Sequence, residues 1–126
     1  MKSHALKIEI LSEDECIYLA IKVTGKLTHL DYEKITPMID EAVQEHKDAN
    51  INVLFDGTEM VGWEARAMWD DLKLGLKHGK RFHNIAIVGH QFWMEIAAKI
   101  GGWFVGGKVH YFDDSDSALL WLKQQP

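Results

Sequence analysis

Asp56, Thr58, Glu59 and His90 are the residues whose types could move a proton. Asp56 and Thr58 follow one short apolar run and His90 follows another, which puts them just past the ends of two predicted strands. Open α/β sheets bind ligands at that edge, and a carboxylate near an imidazole is a minimal acid–base pair. The plainer role for the same residues is to bond loop backbone and to flank a helix. No G-x-S-x-G, H-E-x-x-H or P-loop pattern accompanies them, so catalysis is not expected. His78, His83, His90 and His110 lie 5, 7 and 20 residues apart, and none of these is a metal-ligand spacing. No metal or other cofactor is expected. Cys16 is the one cysteine, which excludes a disulfide scaffold and suits a reducing compartment; it reads as a small apolar strand residue.

The stronger signal is apolar. Phe92, Trp93, Met94, Ile96, Ala97, Ala98 and Ile100 occupy most directions of a predicted helix at 92–100, with Glu95 and Lys99 placed to pair at i, i+4. Gly101 and Gly102 follow, then Trp103, Phe104 and Val105, then Gly106 and Gly107. The predicted helix before it, at 63–78, carries two apolar stripes, one with Ala65, Met68, Trp69 and Leu72, the other with Trp63, Ala67 and Leu74. A surface helix of a small domain needs one apolar face; one that is apolar all round must be covered twice. Trp103 and Phe104 could each bury about 150 Å², worth about 4 kcal/mol apiece. The cover can come from the core, a twin subunit, a bound apolar ligand or a membrane surface. Lys73, Lys77, Lys80, Arg81 and Lys99 lie in the same region, and anionic lipid heads favour apolar residues backed by cations. A solvated face is the plain alternative for such a cluster. The glycines that bound these helices would let them part around a ligand, or would simply cap them.

Length and composition frame these residues. A chain of 126 residues fits one domain, expected to span 1–126. It is 47% apolar and 26% charged, as in ordinary globular domains, and its aromatic content excludes disorder as the main state. The net charge of -5 argues against a general nucleic-acid binder. Charge is uneven: residues 60–110 hold seven basic and four acidic side chains, so the basic surplus coincides with the apolar one. The most apolar stretch, 92–107, is too short and too charged to span a bilayer. Met1 to His4 run into a strand-like stretch without a signal-peptide core. A cytoplasmic location is expected, with peripheral contact at the inner membrane face as its extension.

The elements that must position these residues follow from periodicity. Leu6, Ile8 and Ile10 alternate with Lys7 and Glu9, and Ile17, Leu19, Ile21 and Val23 alternate again up to Gly25, which predicts a hairpin across 12–15. Thr28 and Asp31 form a helix-start signal. Ile35, Met38, Ile39, Ala42, Val43 and His46 make one apolar face, and Pro37 suggests that the hydrogen-bonded body starts near Thr36. Strands are predicted at 51–55, 85–88 and 109–112. Asp113, Asp114 and Ser115 cap a last helix expected to bury Ala118, Leu119, Trp121 and Leu122. The order β-β-α-β-α-β-α-β-α predicts an α/β fold: a mostly parallel five-stranded sheet with an antiparallel first strand and four helices.

Several segments in this order resemble the SpoIIAA-like family, the bacterial branch related to STAS domains. They are Gly25-Lys26-Leu27-Thr28 with Asp31-Tyr32, Phe55-Asp56-Gly57-Thr58 with Gly62-Trp63, the run from Arg81 to Gly89 with Trp93, and Val109-His110-Tyr111-Phe112 with Ala118 to Leu122. The resemblance implies a βα superhelix, a fold seen also in lipid-exchange domains, and brings no enzyme activity. Related anti-sigma factor antagonists carry a phosphorylatable Ser in a D-x-S…D-S-S-G segment. Asp56 and Thr58 match its first part, but Gly62 and Trp63 stand near the place of the Ser pair.

The expected function is a non-enzymatic module for a small apolar or lipid-like ligand, with membrane-surface contact through the second and third predicted helices. Trp63, Trp69, Phe92, Trp93, Trp103 and Phe104 would line the apolar part. Lys73, Lys77, Lys80, Arg81 and Lys99 would meet an anionic group, with Asp56, Thr58 and His90 in the loops at the strand ends. The rival is a protein-interaction regulator related to anti-sigma factor antagonists but lacking the phosphorylatable Ser, in which the same surface docks a partner or a second copy.

Overall fold

A computed structural model describes residues 5–13, 16–45, 50–63, 82–89 and 107–124. Five strands, β1 (Ala5–Glu13), β2 (Cys16–Leu27), β3 (Asn50–Trp63), β4 (Phe82–Val88) and β5 (Lys108–Phe112), form one sheet in the order β1-β2-β3-β4-β5. β1 runs antiparallel to β2, with Ile8 opposite Ile21, and every later neighbour is parallel. Helix α1 (His29–Glu45) joins β2 to β3, and α2 (Ser115–Gln124) follows β5.

Strand alternation sorts the side chains onto two faces. Ile17, Leu19, Ile21 and Val23 of β2, Ile51, Val53 and Phe55 of β3, and Ile85 and Ile87 of β4 are buried together with Ile35, Ile39, Ala42 and Val43 of α1. The other face has a smaller core: Ala86 and Val88 against Ala118 and Leu122 of α2, flanked by Tyr18, Leu54, Phe112 and Trp121. There Asn84 donates a hydrogen bond to Asn52 at 3.2 Å, both side chains being buried.

The start of α1 is a reciprocal cap. The Thr28 N–H donates to Asp31 Oδ2 at 2.9 Å, and the Asp31 N–H donates to Thr28 Oγ1 at 3.2 Å. The helix therefore begins at His29, not near Thr36, and Pro37 lies inside it. Proline leaves the Glu33 carbonyl without its helical donor; Glu33 and Pro37 are both exposed, so water can serve that carbonyl. Met38 is 36% exposed at the rim of the apolar face. In α2 the expectation for Leu119 fails as well. It is 36% exposed, and Trp121 is half-buried, because only Ala118 and Leu122 point straight at the sheet.

β3 departs most from expectation. It does not stop at Phe55 but continues to Trp63, paired with β2, which itself runs past Gly25 to Leu27. Trp63 closes a strand where a helix start was expected. β4 likewise begins at Phe82, ahead of the expected Ile85. The rest of the predicted helix at 63–78, and all of that at 92–100, lie outside the described residues.

Candidate functional site

Two irregularities shape the carboxyl end of β3. Lys22 pairs with Asp56 and the next partners are Thr24 and Glu59; Gly25 pairs with Met60 and the next partners are Lys26 and Gly62. β3 therefore carries one extra residue at each step, the signature of a β-bulge. Gly25 sits here with φ 83°, a conformation that favours glycine.

At the first bulge the Thr58 N–H and Thr58 Oγ1 both donate to Asp56 Oδ1, at 3.0 and 2.7 Å. This is an Asx-type turn, in which the carboxylate holds the local backbone. Glu59 then reaches back to β2. Its Oε2 lies 3.0 Å from Lys22 Nζ and accepts from Thr24 Oγ1 at 3.4 Å. The hydrogen bond to Glu59, then the charge of Glu59, hold the Lys22 ammonium above its usual range, with Asp56 adding a lesser attraction against slight desolvation. The pair is well exposed, so its contribution to stability is small.

At the second bulge Val61 is the residue without a partner in the pairing register, and it is 73% exposed. Leu30, in the first turn of α1 at the same end of the sheet, is 65% exposed. Two large apolar side chains thus stand in water at the carboxyl end, beside the strand end at Trp63. The sequence marks Val61 only by its place between Met60 and Gly62 after Asp56-Gly57-Thr58, and neither it nor Leu30 is among the expected site residues.

On the α2 side, a groove of ≈ 210 Å³ runs along the sheet to the start of α2. Its floor is Ala20, Leu54 and Leu119, and Lys22, Asp56 and Asp116 stand at its rim. Asp114 caps the helix there, accepting from the Ser117 N–H and Ser117 Oγ at 2.8 Å each, and these bonds hold its carboxyl below the usual range.

The structure thus brings Asp56 and Thr58 into direct contact at the expected strand end. His90 lies outside the described residues, as do Trp69, Phe92, Trp93, Trp103, Phe104, Lys73, Lys77, Lys80, Arg81 and Lys99. Cys16 is a half-buried free thiol at the start of β2. Among the described residues there is no grouping of His, Cys, Asp and Glu that could hold a metal ion, and no helix long and apolar enough to cross a membrane.

A mixed sheet in sequential order, with an antiparallel first pair and helices on both faces, defines the class. The chain belongs to the SpoIIAA-like family, whose pattern it matches over residues 18–123. It is similar to a protein of the DUF3478 family from Shewanella loihica PV-4, described as uncharacterized and as having a SpoIIAA-like fold. Identity is 44%, with 95% of each chain covered and a TM-score of 0.75. The unphosphorylated anti-sigma factor antagonist SpoIIAA shares the fold, with a TM-score of 0.63 over 96% of this chain and 100% of that one, at 14% identity. No functionally curated protein sequence matches the chain.

Proposed function

We propose that this chain is a non-catalytic binding module that takes a small apolar or lipid-like ligand, and touches a membrane surface, through the carboxyl end of its sheet. The observation that carries this reading is the bulge that turns Val61 outward, with Leu30 exposed at the same end. Isolated apolar side chains on a surface are ordinary, but a group of them continuous with further apolar chain marks a contact site. Here the apolar pair precedes the tryptophan-rich segments that sequence marks as too greasy for one core, with Lys73, Lys77, Lys80, Arg81 and Lys99 among them.

Vesicle flotation tests the reading. The full chain is expected to float with anionic phosphatidylglycerol vesicles more than with neutral phosphatidylcholine ones. Leu30→Asp with Val61→Asp should reduce flotation at least several-fold while leaving the far-ultraviolet circular dichroism unchanged. A chain that stays at the bottom with both vesicle types, and that carries no co-purified amphiphile in native mass spectrometry, overturns it.

The alternative is docking of a protein partner, favoured by the fold shared with an anti-sigma factor antagonist. Such docking would not depend on phosphorylation of that Ser pair, since Gly62 and Trp63 stand near its place in this chain and are strand-paired with Lys26 and Leu27. Lipid-independent association with a partner, lost in the same double variant, distinguishes it.

A further inference from the structure

β1 is an outer strand: one edge is paired with β2, and among the described residues nothing pairs with the other. A free strand edge presents backbone N–H and C=O groups that can template a further strand. The residues on this edge are self-complementary. Leu6-Lys7-Ile8-Glu9-Ile10 has the same pattern of apolar and charged positions read in either direction from Ile8, except that the charge changes sign. We propose that the chain forms a two-fold symmetric dimer in which β1 pairs antiparallel with β1 of a second copy, centred on Ile8, so that the two sheets become one.

Centring on Ile8 sets Lys7 opposite the partner's Glu9 and Glu9 opposite the partner's Lys7, while Leu6 meets the partner's Ile10. Residues directly opposite in an antiparallel pair share a face. Both ion pairs then lie on the α2 side, and the apolar pairs lie on the α1 side, where they extend each core. Centring on Lys7 or on Glu9 puts like charges face to face, which disfavours those registers. An edge guarded against association carries charges that repel a copy of itself or point inward; Lys7 and Glu9 do neither. Their side chains are 70% and 53% exposed and lie 3.1 Å apart, so each can turn to a partner with little desolvation.

Two further features fit a second copy. Ile10 is 40% exposed although it belongs to the apolar alternation of the strand. Toward the other end of β1 a groove of ≈ 610 Å³ opens between β1 and α1, with Ala5, Leu6 and Ile8 in its wall and Met38 and Lys34 on the helix. In the proposed register the partner's Ile10 lies across from Leu6 and covers this apolar wall. The dimer uses the outer edge of β1, whereas the ligand reading rests on Leu30 and Val61, so the dimer stands whether or not those residues meet a lipid.

Sedimentation velocity of the full chain over a range of concentrations tests the proposal. The unaltered protein should sediment as a dimer. K7E and E9K should each weaken association roughly tenfold or more, because two attractive cross-strand pairs become repulsive. The double variant K7E with E9K should restore it. Circular dichroism shows whether each variant folds, and K7Q and E9Q replace any that does not. Amide exchange in β1 should also slow as concentration rises. A monomer at every concentration, a dimer indifferent to K7E, a double variant no tighter than the singles, or exchange in β1 independent of concentration would each overturn it.

Discussion

On β2, Ile17, Leu19, Ile21 and Val23 are sealed beneath α1, whereas Tyr18, Ala20 and Lys22 look onto the other side of the same strand. There α2 packs on β3, β4 and β5, and the groove beside it reaches Lys7 and Glu9 of β1. The first face is continuously apolar. The second mixes a small apolar patch with a buried amide pair, Asn52 and Asn84, and with the charges of Lys22 and Asp56. Burial of apolar area is the main favourable contribution to folding, so among the described residues the α1 side contributes most of the stability. The α2 side and the carboxyl end keep polar and exposed groups that a core would exclude.

The largest expected break in this asymmetry is Phe55→Ala. Phe55 is wholly buried on the α1 side, and its loss should cost about 3–5 kcal/mol in urea unfolding. Leu54→Ala, one residue along and half-buried on the other side, should cost less than half as much. Equal costs would mean that the two faces share the load.

The amide pair sharpens the comparison at the next level. Asn84→Leu should destabilise by about 1–3 kcal/mol, because it leaves the Asn52 carbonyl buried without its donor. Adding Asn52→Leu should recover most of the loss, since removing both partners approaches the apolar pattern of the first face. A double-mutant cycle by chemical denaturation checks this, and purely additive losses would contradict it.

The smallest effect is at the start of α2. The Asp114 carboxyl is held below its usual range by bonds from Ser117, first the backbone N–H and then the hydroxyl. A group whose folded pKa is depressed stabilises the fold above its unfolded value, near 4 as a rough reference, and loses that contribution as pH falls through the folded value. Asp114→Asn should therefore lower the melting temperature slightly at neutral pH, with the difference from the unaltered protein shrinking in acid.

Much of this contrast could be read from residue order. Alternation in β1 and β2 places the apolar residues on one side without ambiguity, and the Thr28–Asp31 pair announces the start of α1 by its spacing. The local cost of Pro37 does not set the start of α1. The cap upstream and the buried Ile35, Ile39, Ala42 and Val43 hold the helix through it. The extension of β3 was hidden for a different reason. Asp56, Gly57 and Thr58 have the composition of a turn, and they do form one locally, but β2 continues alongside and the strand resumes after a bulge. Pairing with a distant segment is tertiary information that a local pattern does not contain. The same holds for Val61, whose exposure follows from a register mismatch between two strands.

The sheet's spatial order is its chain order, β1 through β5. No newcomer has to wedge between two strands that have already paired; each joins an open flank. Pairing each strand with the next one in the chain keeps the contacts between partners as local as a mostly parallel sheet allows, which favours fast folding. A prematurely terminated product would then be a narrower sheet with its last flank bare, not a sheet with a gap in its middle.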